Sequence, residues 1–208
     1  MKRGNFITLE GGEGAGKSTM MVRLADWLQN AGYRTVSTRE PGGTALAEKL
    51  RDILLDKNNT TVSSQAELLL MFAARAQHLE ELIRPALARG DWVLCDRFTD
   101  ATWAYQGGGR GLPSADIGAL EKLVHGDLQP DLTLLLDLPV EQGMSRASAR
   151  SAADRFERES QEFFERVRRA YLQRAADAPG RFAVIDASRD ADSVWAQIKQ
   201  IMAERIGR

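Results

Sequence analysis

Glycines at positions 11, 12, 14 and 16, then Lys17 and Ser18, follow directly on the apolar run Phe6-Ile7-Thr8-Leu9 and read Gly-x-x-x-x-Gly-Lys-Ser. A chain that turns without Cβ atoms can aim successive backbone N–H groups inward around a polyphosphate. The helix that begins near Lys17 adds the positive end of its dipole. In such a loop Lys17 reaches the β and γ phosphates, and the Ser18 hydroxyl is placed to take one position on Mg²⁺. Strand, loop and amphipathic helix occur in the order this chemistry requires, which argues against a Gly-rich turn formed by chance. Gly11, Gly12, Glu13, Gly14, Ala15, Gly16, Lys17, Ser18 and Thr19 are therefore the expected nucleotide-binding residues.

Three further segments carry chemistry of the kind a phosphate donor needs around it. Phe72-Ala-Ala-Arg75 places a ring and a guanidinium on one helix face, suited to a planar base and its carbonyl edge, although a core phenylalanine beside a surface arginine reads equally well. Val93-Leu94-Cys95-Asp96-Arg97-Phe98 ends a strand in an acid and an arginine. There Asp96 could hold Mg²⁺ or its waters and Arg97 could clamp an acceptor phosphate, the bland alternative being a structural pair that caps the strand. Tyr105-Gln106 precedes Gly107-Gly-Gly-Arg-Gly111, expected as a flexible loop behind a short helix. The ring and the amide carry the flat surface, donor and acceptor that a nucleoside requires.

These residues need a scaffold, and the periodicity supplies one. Strand-like runs occur at 6–9, 35–38, 92–95, 132–136 and 182–185, each followed by helical spacing. The first and fourth are almost continuously apolar, as strands covered on both faces are. The expected fold is therefore α/β, a three-layer α/β/α sandwich on a five-stranded parallel sheet, with ligands at the strands' carboxyl ends. The 208 residues suit one domain, and the net charge of -1 argues against a protein that holds long nucleic acid. Cys95 is the only cysteine, which excludes an intramolecular disulfide. The basic start Met-Lys-Arg-Gly leads into an apolar run too short for a signal peptide or a membrane span, so a soluble cytoplasmic protein is expected. Residues 146–174 hold eight arginines against five carboxylates; Glu162 with Arg166 and Glu165 with Arg169 are spaced as surface pairs, and the earlier arginines lack such partners.

A phosphate loop alone leaves switches, motors and small-molecule kinases open. The base-reading Asn-Lys-x-Asp of a GTP switch is absent, and Asp177-Ala-Pro-Gly180 falls too late in the chain to be its switch segment, so it reads as a turn. Size and charge disfavour a motor. A small kinase needs an acceptor pocket, a phosphate clamp and a cover against water, which the segments above can provide. Kinases for other nucleoside monophosphates or nucleosides remain the nearest alternative, and a non-catalytic GTP-binding switch a more distant one.

Assembled, these segments resemble the bacterial thymidylate kinases over essentially the whole length. The resemblance rests on the phosphate loop, Thr38-Arg-Glu-Pro-Gly-Gly-Thr44, Met71-Phe-Ala-Ala-Arg75, Asp96-Arg97-Phe98, Ala104-Tyr-Gln-Gly-Gly-Gly-Arg-Gly111 and Asp154-Arg155-Phe-Glu157. It implies transfer of the γ-phosphoryl group of ATP to dTMP with Mg²⁺, and a homodimer. By similarity Glu13 contacts the deoxyribose 3'-hydroxyl, Arg97 binds the dTMP phosphate, and Phe72 and Arg75 meet the thymine. Thr102 and Gln106 add polar contacts to the base, Tyr105 packs against the sugar, and Pro41 corresponds to a cis-proline that shapes the phosphate pocket. The family's stacking aromatic often lies four residues before the arginine, a position held here by Met71. Eukaryotic members carry a catalytic arginine where this chain has Gly14, whereas the bacterial type supplies that charge from a mobile lid, here about 146–158. The resemblance thus assigns Arg150 and Arg155 to the transferring phosphoryl group and Arg146 to the adenine.

Overall fold

The computed structural model describes residues 3–59, 61–148 and 155–206. Its strands are β1 (Phe6–Glu10), β2 (Thr35–Arg39), β3 (Trp92–Asp96), β4 (Leu132–Asp137) and β5 (Phe182–Asp186). They form one parallel sheet in the order β2-β3-β1-β4-β5. Each strand runs one residue past the strand-like run that marks it in the sequence, because the backbone pairing continues to the sheet edge. Those added residues are Glu10, Arg39, Asp96, Asp137 and Asp186, so the carboxyl edge is charged at every strand. That edge is where ligands of open α/β sheets bind.

Alternation along the strands builds the two outer layers. Ile7, Leu9, Leu94, Leu134 and Leu136 point to one face, where they meet α1 (Lys17–Asn30) and α9 (Ala191–Ile206) through Leu24, Leu28, Ile198 and Met202. Phe6, Val93 and Cys95 point to the other, against Leu79, Ile83 and Leu87. These follow α3 (Ser64–His78), as a π-helical turn Leu79–Ile83 and the short α4 (Arg84–Ala88). On the same side Leu135 and Phe182 pack on Phe163, Val167 and Tyr171 of the long α8, Gln161–Asp177. The expected three-layer sandwich is thus realised. Two of the helices at the site begin at side-chain caps: Thr44 accepts from Ala47 N ahead of α2 (Ala45–Leu55), and Ser63 accepts from Ala66 N ahead of α3. No helix among the described residues is long and apolar enough to cross a membrane.

Two expectations need correction. Gly107, Gly108 and Gly109 are not a flexible loop: they continue α5 (Thr99–Thr102) as a π-helical segment, Trp103–Gly109. Gly108 and Gly109 are required by packing, since a Cβ on Gly108 would lie 2.6 Å from Ala170 Cβ and one on Gly109 would lie 2.5 Å from the Phe163 ring. Only a chain without side chains can press this segment onto α8. Arg166, expected to pair with Glu162, instead donates to Gly109 O at 2.9 Å and secures the same contact. Gly108→Ala should destabilise the fold, because overpacking of about 1–3 kcal/mol exceeds the roughly 1 kcal/mol of helix propensity gained. Gly180→Ala, where nothing lies within 4 Å, should cost nothing comparable; urea unfolding of the two variants checks the contrast.

Candidate active site

The phosphate loop turns between β1 and α1 with Gly11 at φ 137°, Gly14 at φ 71° and Gly16 at φ 87°. At Gly16 nothing crowds a Cβ, so the glycine serves conformation alone; at Gly14 a Cβ would lie 2.2 Å from Gly143 O of α7 (Val140–Ser148). A side chain at position 14 therefore cannot be accommodated against α7, which explains in physical terms why no loop arginine is available. Lys17 Nζ donates to Gly12 O at 2.9 Å and Gly11 O at 3.1 Å. Burial, and then the Arg97 charge, pull its ammonium below the ordinary lysine range. Ser18 sits beside it in the first turn of α1.

The loop forms one wall of a cleft of about 250 Å³. Of the expected substrate residues, Glu13, Pro41, Arg75, Arg97, Thr102, Tyr105 and Gln106 all line it, together with Asp96. Arg97 occupies the left-handed region at φ 70°. A non-glycine residue there costs energy and persists only where its surroundings hold it. They do so from several sides: Arg97 N donates to Leu9 O at 3.0 Å, and Phe98 N donates to Glu10 Oε1 at 2.7 Å. Its guanidinium bonds Glu13 Oε1 and lies 4.7 Å from the centre of the Tyr105 ring. Tyr105 OH donates to the same Glu13 oxygen at 3.0 Å. Burial alone would raise the Glu13 carboxyl, but Arg97 and then Lys17 overcome it and hold the group at about 2.

The far end of the cleft is built by α3. Arg75 Nε donates to Glu40 Oε2 at 2.7 Å, and its Nη2 donates to Thr102 Oγ1 at 3.0 Å. Its Nη1 is buried with no hydrogen-bond partner among the described residues, leaving a donor for a carbonyl. Glu40, whose peptide to Pro41 is cis, also holds His78 Nδ1 at 3.0 Å. His78 is fully buried, and His125 bonds Leu128 O and Thr99, so both histidines serve the framework. Phe72 corrects the sequence expectation: it is 2% exposed, packs with Leu68 and Ile117, and supports Arg75 from 4.8 Å, while Met71 lines the cleft. A helix turns about 100° per residue, so only one of two adjacent side chains can face the ligand.

The arginine-rich stretch is largely committed to the framework. Arg168 makes a two-pronged bond to Asp137, and Arg174 bonds Asp100. Arg146 donates to Ala187 O and Ser188 O, which sets its guanidinium against the loop after β5. Arg155 is placed differently from expectation: it ion-pairs with Glu67 at 2.7 Å and donates to Leu54 O at 2.7 Å. The buried Glu67 carboxylate captures it, so Arg155 ties its segment to α2 and α3 instead of lining the cleft. Arg150 lies outside the described residues. Phe156 and Glu157, just beyond Arg155, do line the cleft.

The residues present fit a Mg²⁺–nucleotide. Asp96 Oδ1 is buried with no hydrogen-bond partner among the described residues, and hydroxyl and carboxylate oxygens suit this hard cation. No group of three or more His, Cys, Asp or Glu among the described residues could cage a metal.

Sequence reasoning missed Glu10, Glu40 and Glu67. Glu67, Met71, Arg75 and His78 follow helical spacing on one face of α3, so the pattern held a signal. Glu10 showed only as an acid closing an apolar strand. It is fully buried, accepts from Tyr171 OH at 2.8 Å as well as from Phe98 N, and is pushed up to about 8 by burial and then by Asp100.

A phosphate loop, a guanidinium clamp and a base-sized cleft at one sheet edge define a P-loop nucleotide kinase. Residues 9–198 match the family model described as thymidylate kinase. The thymidylate kinase of Alcanivorax borkumensis is 60% identical over 201 residues, covering 97% of each chain. That of Chromohalobacter salexigens is 60% identical over 208 residues, covering 99% of this chain and 98% of its own. The crystal structure of thymidylate kinase from Ehrlichia chaffeensis superposes with a TM-score of 0.78 at 33% identity, covering 96% of this chain and 99% of that one. The chain belongs to the thymidylate kinase family.

Because the folded Glu10 binds its proton up to about 8 and an unfolded glutamate releases it near 4.3, stability should fall as pH rises through that window. Glu10→Gln reproduces the protonated form, its carbonyl accepting from Phe98 N and its amide donating to Tyr171. Urea titrations between about pH 5 and pH 8 should show a flatter pH dependence for this variant than for the wild type.

Proposed function

We propose that the chain phosphorylates dTMP to dTDP with ATP and Mg²⁺, within one domain over 1–208 and a mobile arginine-rich lid about 146–158. The supporting observation is that a single cleft is lined by Lys17 and the phosphate loop, by Arg97, and by Arg75 and Gln106. That lining suits a phosphate donor meeting a nucleoside monophosphate. In this reading Arg97 takes the dTMP phosphate, Glu13 the 3'-hydroxyl, Tyr105 the sugar, and Met71 covers the base that Arg75, Thr102 and Gln106 hold by its edge. Bound Mg²⁺, held through Ser18 and Asp96, would supply charge neutralisation between the phosphates.

No general base is needed. The acceptor is a phosphate oxygen with a second pKa of about 6, largely ionised at neutral pH. The obstacle is bringing two polyanions together, and Lys17, Arg97 and the lid cations lower it. Arg150 is the lid residue assigned to the transferring phosphoryl group, and Arg155 holds the lid's end. Arg146, fixed across 187–188, offers a flat cation to the adenine. Leu46 and Ile53 of α2 and Leu69 of α3 are exposed on helices that pack together, which supports a homodimer through that face. The buried thiol of Cys95, raised by burial, suits a cytoplasmic protein.

A coupled ADP-release assay over dTMP, dUMP, dCMP and thymidine tests this. dTMP should be turned over fastest; a preference for dCMP or thymidine would replace the reading with the nearest alternative, and release independent of any acceptor would remove it. Arg150→Ala should lower kcat by about 10³-fold or more with little change in dTMP affinity; equal losses in both would take Arg150 out of the transition state.

A further inference from the structure

Glu67 lies outside the ligand cleft, yet its carboxylate is fully buried in the first turn of α3 and gathers the groups around the base end. Its Oε1 accepts from Gln106 Nε2 at 2.8 Å and from Arg110 Nε at 3.2 Å. Its Oε2 takes Arg110 Nη2 at 3.2 Å and pairs with Arg155 Nη2 at 2.7 Å. Arg110 is itself held by Glu159 at 2.6 Å. Two guanidiniums thus pin the carboxylate in place.

A carboxylate offers acceptors only, whereas an amide has a donor end and an acceptor end. Facing Glu67, the Gln106 amide has one permitted orientation: nitrogen toward Glu67, oxygen toward the cleft that Gln106 lines. The neighbouring cleft group, Arg75, carries the unpartnered donor Nη1. We infer that Glu67 is a specificity-determining positioning residue: by fixing the Gln106 amide it makes the base end of the cleft an acceptor beside a donor. Thymine and uracil present the complement, an N3–H donor beside the O4 acceptor. Cytosine presents the reverse, an N3 acceptor beside the N4 amino donor, and would set like against like at both positions. Selection against cytosine is thus decided one residue behind the ligand. This inference rests on the dTMP reading above.

Glu67→Gln supplies an amide that can still accept from the arginines but can donate toward Gln106, which frees Gln106 to turn its nitrogen to the cleft. The ratio of kcat/KM for dTMP over dCMP should fall by about 10-fold or more, mainly through improved use of dCMP. Glu67→Asp, still acceptor-only, should keep the wild-type preference. Equal losses on both substrates with the ratio unchanged would reduce Glu67 to a structural role and overturn the inference. Should Glu67→Gln fail to fold in thermal melts, the wild type decides: N3-methyl-dTMP, which loses the N3–H donor and keeps both carbonyls, should bind about 10-fold or more weakly than dTMP. Equal binding would show that no acceptor faces the base. Wild-type turnover of dTMP, measured in the same series, separates failure here from failure of the dTMP reading.

Discussion

A buried carboxylate at the end of β1 fixes the geometry of the whole site. Glu10 receives Phe98 N from the turn after β3 and Tyr171 OH from α8, and the next residue, Gly11, opens the phosphate loop. One side chain therefore locks the phosphate loop, the turn that carries Arg97 and the opposite helical layer to a common origin. Burial, and then Asp100, push the Glu10 carboxyl up to about 8, which favours its neutral form beneath the phosphate loop. The strained backbone of Arg97 is tolerable because this junction leaves it no alternative path.

The same logic of enclosure recurs around the cleft. Glu13 with Arg97, Glu40 with Arg75, and Glu67 with Arg110 and Arg155 are each a carboxylate holding a guanidinium in a chosen direction. An arginine on a free surface samples many rotamers, and its ordering would have to be offset at the moment of binding. Here that ordering is built into the fold. The contact between Gly14 and Gly143 adds a steric constraint, since it brings α7 against the phosphate loop and leaves no room for a side chain at position 14.

Much of this was legible in the sequence because it depends on local spacing. The five strands, the phosphate loop and the sites of Arg97, Tyr105 and Gln106 follow from apolar runs, glycines and strand ends, and all lie where those signals place them. What was not legible depends on partners distant in the chain. The choice of Met71 over Phe72 turns on which face of α3 meets α6 (Ser114–His125). The packed state of Gly107–109 turns on α8, and the capture of Arg155 turns on a carboxylate nearly ninety positions earlier. Glu10 looked like the last residue of a strand; only the closing of β3 and α8 over it made it a junction.

The central claim is that Arg97, held in place before any ligand arrives, is what makes the cleft a monophosphate site. Calorimetric affinities for dTMP and for thymidine, in the wild type and in Arg97→Ala, test it as a closed cycle. The account predicts that the wild type prefers dTMP over thymidine by about 10-fold or more, and that Arg97→Ala loses most of this preference. A preference for dTMP that survives intact in Arg97→Ala would contradict it.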